Sequence, residues 1–176
     1  MNQWKKLSER IVYENPWTKV REDQVVCPDG SPGIYGVVER KQQVCVLAVN
    51  DRGQVFVQRD YKYPIGKALL NIMAGGVDET DTLEAAKREL KEEAGLVAGT
   101  WTKLGSFYTS PGVSNEYSTI YLAREILEEG MTAHEGTEII TDSHWEDASV
   151  LYGMLDSGEL EDAYIIVALA LARQYL

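Results

Sequence analysis

The chain has 176 residues and a formal net charge of −11 at neutral pH, which fits one domain of ordinary size with a sizeable core. This acidic balance offers no basic patch for a nucleic-acid backbone and argues against tight duplex binding. Two cysteines, Cys27 and Cys45, lack metal-ligand or redox spacing and are typical of thiols in a reducing compartment, so we expect a cytoplasmic protein. No signal peptide is expected from the first residues, and the longest apolar run, Ala163 to Ala172, is too short to span a bilayer, so no membrane association is expected.

The N-terminal part of the chain predicts a β-ribbon. Trp17–Cys27 and Ile34–Glu39 alternate apolar and polar residues, and turn-forming Pro and Gly residues lie between them. We therefore expect residues 1–40 to form a ribbon segment that packs on, or swaps with, a domain made of residues 41–176.

The rest of the chain mixes strands with helices. Strands are predicted at short apolar stretches, which are Val44–Val49, Val55–Gln58, Leu69–Met73, Trp101–Tyr108, Tyr117–Ala123 and Glu138–Trp145. Asn50–Gly53, between the first two, is typical of a hairpin turn. Helices are predicted at Thr82–Ala94, Ala148–Leu155 and Leu160–Tyr175, the first capped by Asp81 or Thr82 and ended by Gly95. This mixture predicts an α/β sandwich, with the last helix in its core.

The predicted helix Thr82–Ala94 carries three carboxylates on one side. Glu89, Glu92 and Glu93 stand at positions i, i+3 and i+4, so they share an arc of about 100°. Carboxylates so close repel one another unless a cation lies among them, and hard divalent ions prefer such oxygen ligands and often hold substrate phosphates as well. A helix face rich in Glu and Lys is usually only solvated. Here the preceding Ala74–Gly76 suits a tight turn near a ligand, which favours a metal-dependent phosphate chemistry.

Gly75 together with Arg88–Leu96, which reads R-E-L-K-E-E-A-G-L, resembles the Nudix box, G-x5-E-x7-R-E-U-x-E-E-x-G-U, with U a bulky aliphatic residue. The second half matches at every defined position. In the first half, Asp81 stands where the pattern has Glu, and six residues instead of seven separate it from Arg88. We expect the chemistry to be kept and the loop before the helix to follow a different path.

Four further segments resemble those of ADP-ribose pyrophosphatases, a Nudix subfamily. They are Arg59–Gly66, similar to R-Q-Y-R-x-P-x-G; Asn71–Gly76, similar to E-L-P-A-G-G; Leu104–Gly112, similar to L-G-x-x-x-x-S-P-G; and Gly158–Ala163, similar to G-x-I-x-D-A. Within them, Lys62 replaces an Arg, Asn71 replaces a Glu and Met73 replaces a Pro. The resemblance extends from about Trp17 to the last residue.

The resemblance implies a Nudix-type α/β/α sandwich with a mixed sheet and an N-terminal β-ribbon, in which residues 41–176 are the Nudix domain. It also implies Mg²⁺- or Mn²⁺-dependent hydrolysis of the diphosphate bond of a nucleoside diphosphate sugar, with ADP-ribose as the first choice of substrate. The ions would neutralise the diphosphate and lower the pKa of a bound water. A GDP-sugar or UDP-sugar pyrophosphatase and a non-catalytic ligand-binding regulator stay open as alternatives. A homodimer whose subunits both contribute to each site is a further implication.

The site residues that the resemblance implies fall into three groups. The metal ligands are Glu89, Glu92, Glu93 and the main-chain carbonyl of Ala74. The general base is Glu138 or, as second choice, Glu135, and Arg88 orients the carboxylates by ion pairing. The residues expected to contact substrate are Trp17, Arg59, Lys62 and Ser110. Trp17 would stack on the nucleobase.

Overall fold

The computed structural model describes residues 3–78, 81–130 and 139–176. The chain divides into two compact units. One consists of Met1–Gln42 and Tyr108–Tyr117, and the other of Gln43–Phe107 and Ser118–Leu176.

The first unit contains an antiparallel sheet of three strands, in the order β1-β2-β3. The strands are β1 (Lys5–Glu14), β2 (Lys19–Val26) and β3 (Pro32–Glu39). The side chain of Asn15 shapes the turn between β1 and β2, since its Oδ1 accepts from the main-chain N–H of Trp17 at 2.9 Å and of Thr18 at 2.7 Å. The predicted pairing of the second and third strands is confirmed. The first strand was not predicted, and all of its residues are exposed.

The second unit contains two sheets, with strand orders β7-β4-β9-β8 and β10-β5-β6. In the larger sheet β4 runs parallel to β9 and antiparallel to β7, so the sheet is mixed, as expected. The strands are β4 (Gln43–Ala48), β5 (Gln54–Lys62), β6 (Lys67–Asn71), β7 (Met73–Gly76), β8 (Leu96–Tyr108), β9 (Tyr117–Glu129) and β10 (Ile140–Asp147). The helices are α1 (Thr82–Ala94), α2 (Ala148–Ser157) and α3 (Ala163–Ala172), with one 3₁₀ turn at Tyr63–Ile65.

The central strand β4 separates two apolar cores, because successive side chains of a strand point to opposite faces. Val44, Val46 and Ala48 lie in one core with Leu90 of α1. Cys45 and Leu47 lie in the other, with Leu151 of α2 and Ile165 of α3. One helix therefore covers one face of β4 and two helices cover the other, which confirms the predicted α/β/α layering.

Helix α1 has the predicted bounds because both of its ends carry sequence signals. The Asp81 side chain accepts a hydrogen bond from the Leu83 N–H at 2.9 Å and caps the N-terminus. Gly95 ends the helix with φ of 67°, and its N–H bonds back to the carbonyls of Leu90 and Lys91. A Cβ at Gly95 would lie 2.5 Å from the carbonyl oxygen of Gly130, so the close approach of the residue that follows β9 also requires glycine.

The Asn50–Gly53 turn is present, but the strands on either side of it enter different sheets. The N–H of Asn50 bonds the carbonyl of Gln54 at 3.0 Å, and pairing beyond the turn stops at a bridge between Val49 and Val55. The predicted hairpin is therefore wrong beyond its turn. The physical reason is that both edges of β4 are occupied by β7 and β9, and both edges of β5 by β6 and β10.

The predicted strand Leu69–Met73 is two strands that change sheet at Ile72. Asn71 pairs with Gln58 in one sheet, and Met73 pairs with Val46 in the other. Ile72 is buried between them. This crossing leads the chain directly into Gly75 and Gly76 at the end of β7.

The last predicted helix is shorter than expected. It begins at Ala163 because the Asp162 side chain accepts from the N–H groups of Tyr164 and Ile165. Its buried residues are Ile165, Ala168, Leu169 and Ala172, which confirms a core helix. Within the described ranges, every helix falls short of the length and apolarity that crossing a membrane requires.

Candidate active site

Two carboxylates of α1 are buried. Glu89 and Glu93 are each 7% exposed, and they stand one turn apart on the side of the helix that packs. Glu92 is exposed. Carboxylates are almost never buried without partners, because loss of hydration disfavours the charge. The two inward carboxylates therefore need neighbours that hold them.

Gly75 lies directly under Glu89. A Cβ built on Gly75 would fall 2.0 Å from both the carboxyl carbon and Oε1 of Glu89. No side chain larger than hydrogen fits there unless the carboxylate moves. Because Gly75 pairs with Val44 in the sheet, its backbone is fixed, and β7 thus limits where the Glu89 carboxylate can lie. Ala74, the predicted carbonyl ligand, precedes it in the same strand.

Arg88 ties α1 to the end of β7. Its Nη1 lies 2.8 Å from Oε1 of Glu89 and 2.9 Å from Oε2 of Glu92, and its Nη2 donates to the carbonyl oxygen of Gly76 at 2.9 Å. One guanidinium thus contacts two of the three carboxylates and a main-chain oxygen. Arg88 compensates the charge of Glu89 and fixes the position of its side chain.

Gln58 holds the second buried carboxylate. Its Nε2 donates to Oε2 of Glu93 at 2.9 Å, and the Gln58 side chain is itself buried. Its Oε1 has no hydrogen-bond partner among the described groups. Sequence reasoning did not single out this residue. The available signal was a glutamine that continues the apolar run Val55–Val57 into a buried strand.

Two of the positions that depart from the subfamily pattern contact each other. The ammonium of Lys62 is paired with the carboxylate of Asp60. With the Asn71 amide assigned the orientation that satisfies both of its ends, its oxygen lies 3.2 Å from the Lys62 ammonium. The amide nitrogen of Asn71 donates to the main-chain oxygen of Gln58 at 3.0 Å. A continuous polar chain therefore runs from Lys62 through Asn71 and Gln58 to Glu93.

The remaining predicted site residues are distributed over both units. Arg59 is exposed on β5, in the second unit. Trp17, at 79% exposed, and Ser110 belong to the first unit, where the carbonyl of Ser110 accepts from the N–H groups of the following turn. The predicted bases Glu135 and Glu138 lie outside the described residues.

The donor chemistry of the site fits a hard divalent ion. Glu89 and Glu93 supply carboxylate oxygens, and Oε1 of Gln58 is a buried acceptor without a partner beside them. In the described ranges, no three His, Cys, Asp or Glu side chains already converge on one point. Glu92 is exposed, and its Oε2 is paired with Arg88.

Two family models match the chain and together cover most of it. The model described as NUDIX domain matches residues 39–169. The model described as nucleoside diphosphate sugar hydrolase N-terminal domain matches residues 4–38.

The chain is similar to curated proteins and to a solved structure. It is 29% identical to an ADP-ribose pyrophosphatase of Bacillus subtilis, over 95% of this chain and 92% of the relative. It is 33% identical to an ADP-ribose pyrophosphatase of Mycobacterium tuberculosis, over 84% of this chain and 68% of the relative. A crystal structure of an ADP compounds hydrolase superposes with a TM-score of 0.86 at 21% identity, covering 99% of this chain and 94% of the other, which shows a shared fold.

Proposed function

The chain belongs to the NUDIX domain family, and from this membership we propose that it hydrolyses the diphosphate bond of a nucleoside diphosphate sugar, cleaving ADP-ribose to AMP and ribose 5-phosphate. The observation that carries the proposal is the pair of buried carboxylates, Glu89 against Gly75 and Glu93 against Gln58. The names of the relatives support the choice of ADP-ribose. As a member of this family the chain is an enzyme, a pyrophosphohydrolase.

Members of the family generally use a divalent metal, and we propose Mg²⁺ or Mn²⁺ for this chain. Glu89, Glu93, Glu92 and the carbonyl of Ala74 would hold it. When bound, the ion supplies positive charge that neutralises the diphosphate and activates water for attack on phosphorus. The protein is acidic overall, at a net charge of −11, so an anionic substrate needs such a bridge.

The other residues have supporting roles in the proposed reaction. Arg88 orients Glu89 from one side, and its contact with the Gly76 carbonyl joins α1 to the end of β7. Lys62 offers a single cation to the substrate in place of the bidentate fork of an arginine. We keep Glu138, then Glu135, as the proposed base that accepts the proton of the attacking water.

The proposed substrate is tested by kcat/KM, which measures discrimination between transition states. The kcat/KM for ADP-ribose is expected to exceed the values for GDP-mannose, UDP-glucose and ATP, and the products should be AMP and ribose 5-phosphate. A GDP-sugar or UDP-sugar enzyme would reverse this order. If ADP-ribose trails another compound by more than about tenfold, which corresponds to about 1.4 kcal/mol, the ADP-ribose assignment is wrong. Absence of turnover on the whole panel, with ligand binding retained, would favour the non-catalytic regulator.

We also propose a homodimer formed through the N-terminal segment, residues 1–40. Within the first unit, large apolar side chains stand exposed, among them Trp4, Ile11, Tyr13 and Trp17. Such a group on one segment is more typical of an interface than of a free surface. The boundary between the two family models, at residues 38 and 39, supports a separate role for this segment.

The homodimer is tested by light scattering at micromolar concentration, where about twice the mass of one chain is expected. Ile11→Glu should produce monomers, because it puts a charge into the proposed interface. Val150→Glu on α2 is the matched control, since the two side chains are 42% and 46% exposed. A monomeric wild-type chain, or equal dissociation by both variants, would contradict the proposal.

A cytoplasmic location is proposed on the state of the two thiols. Cys27 and Cys45 are both thiols, since neither takes part in a disulfide. Cysteines that are not joined in disulfides are typical of reducing compartments.

A further inference from the structure

Gln58 is a polar side chain at a core position. It is 3% exposed, and the three residues before it on β5, Val55–Val57, are buried and apolar. Alternation along the strand places Gln58 on the same face as Phe56, which lies in the core with Leu90 of α1. Burying an amide without its hydrogen bonds is unfavourable, so a buried glutamine here requires a compensating interaction.

The contact with Glu93 provides that interaction and also fixes the orientation of the amide. A carboxylate can only accept hydrogen bonds, so the Nε2 of Gln58 must face Oε2 of Glu93, as observed at 2.9 Å. The Oε1 of Gln58 then has to point elsewhere. It is fully buried and has no partner among the described groups.

The backbone of Gln58 is held as firmly as its side chain. Gln58 pairs with Asn71 across β5 and β6, and the Asn71 side chain adds a bond to the Gln58 carbonyl at 3.0 Å. Glu93 therefore meets a donor of fixed position. The arrangement parallels that of Glu89, whose carboxylate is held by Arg88.

We propose that Gln58 is the positioning residue of Glu93 for divalent-cation binding, an inference that rests on the proposed function. By donating to Oε2 it fixes the orientation in which the Glu93 carboxylate would meet the ion. The unpaired Oε1 of Gln58 gains a donor when a hydrated cation enters, because Mg²⁺ and similar ions retain part of their water shell. A neutral donor suits this role, since it orients Glu93 without competing for the site as the charge of an Arg or Lys would.

The test is the dissociation constant of Mn²⁺, measured by isothermal titration calorimetry on the substrate-free protein. Gln58→Met keeps the size of the side chain and removes the donor. Loss of a residue that supports a metal ligand typically weakens affinity about 10- to 100-fold, and we expect a loss in this range. Because Glu93 itself remains, kcat should recover substantially at saturating Mn²⁺, which a general structural defect would not allow.

Gln54→Met is the matched control on the same strand. The Gln54 side chain accepts a hydrogen bond from Asn50 and donates one to Asp147, and these partners are not predicted metal ligands. Mn²⁺ affinity should therefore stay within about twofold of the wild type, since changes away from a functional site are usually small. If Gln58→Met does not fold, Gln58→Asn keeps the amide and shortens its reach, and the same loss of affinity is expected.

Comparison with Glu93→Gln distinguishes failure of the Gln58 role from failure of the proposed function. If Glu93→Gln leaves Mn²⁺ affinity unchanged, the metal site itself is misassigned. If Glu93→Gln abolishes binding while Gln58→Met and Gln58→Asn bind as tightly as Gln54→Met, the metal site stands and the positioning role of Gln58 is overturned.

Discussion

Glu93→Gln is expected to remove most hydrolysis while the fold persists. Glu93 is buried on the packed face of α1 and accepts from Gln58. Glutamine has nearly the same shape, and its carbonyl oxygen can still accept that hydrogen bond, so packing is retained. The negative charge that would bind the ion is lost. Since losing a residue that only supports a ligand costs up to about a hundredfold, losing the ligand itself should lower kcat by at least that factor.

The control for this prediction is Glu84→Gln on the same helix. Glu84 is exposed in the first turn and pairs with Lys87 at 2.8 Å, a surface contact of little energetic consequence. Its kcat should equal that of the wild type. Circular dichroism and thermal melting show whether both variants are folded, and EDTA should reproduce the loss in the wild type. Undiminished turnover in Glu93→Gln, or in EDTA, would exclude the metal mechanism.

Gly75→Ala is expected to reduce activity strongly with only a modest change in stability. The added Cβ would lie 2.0 Å from the Glu89 carboxylate, which is the end of a flexible side chain, so the carboxylate and not the backbone has to move. Displacing a catalytic group by about 1 Å can cost on the order of a hundredfold in rate. We expect kcat to fall by about that factor.

Gly76→Ala is the control for this change, one residue further along β7. The nearest atom to a Cβ at Gly76 is Nε2 of Gln43 at 4.0 Å, which is ordinary contact. Comparing kcat and melting temperature of the two variants isolates the effect of the close approach. Equal activities in Gly75→Ala and Gly76→Ala would mean that the position of Glu89 is unimportant for turnover.

Helix α1 could be predicted to the residue because its signals are local. Asp81 and Gly95 fix its ends through contacts within the helix and its caps. The apolar stripe that includes Leu90 then determines which face is buried. The mixture of strands and helices predicted an α/β sandwich, and the α/β/α layer order came from the resemblance to the Nudix fold.

The strands were harder to predict, because pairing depends on partners distant in sequence. Strand β1 is exposed along its whole length, so no burial pattern imposes a recognisable alternation on Lys5–Glu14. The change of sheet at Ile72 leaves no local signal either, since its apolar neighbours would suit one continuous strand.

At the candidate site, the sequence identified the carboxylates of α1 and Arg88, which contacts Glu89, but not Gln58, which contacts Glu93. Gln58 is thirty-five positions from Glu93, so only the fold brings the two together. Asp81 carried two signals in the sequence, as a helix cap and as the residue in place of the first glutamate of the motif. In the structure its side chain caps the helix.

The contacts of Lys62 change how its neighbourhood compares with the subfamily pattern. That pattern has an amide at position 60 and a carboxylate at position 71, whereas this chain has Asp60 and Asn71, and Lys62 touches both. The carboxylate and the amide have thus exchanged strands around a retained cation. A comparison of this chain with the subfamily pattern, one position at a time, counts two mismatches at 60 and 71, although the net charge of the pair is unchanged. Replacing Asp60 alone would leave the Lys62 ammonium without its counter-ion. Introducing a carboxylate at position 71 alone would place a second carboxylate beside Asp60 in a buried position. These two positions are therefore expected to vary together in descendants of this sequence.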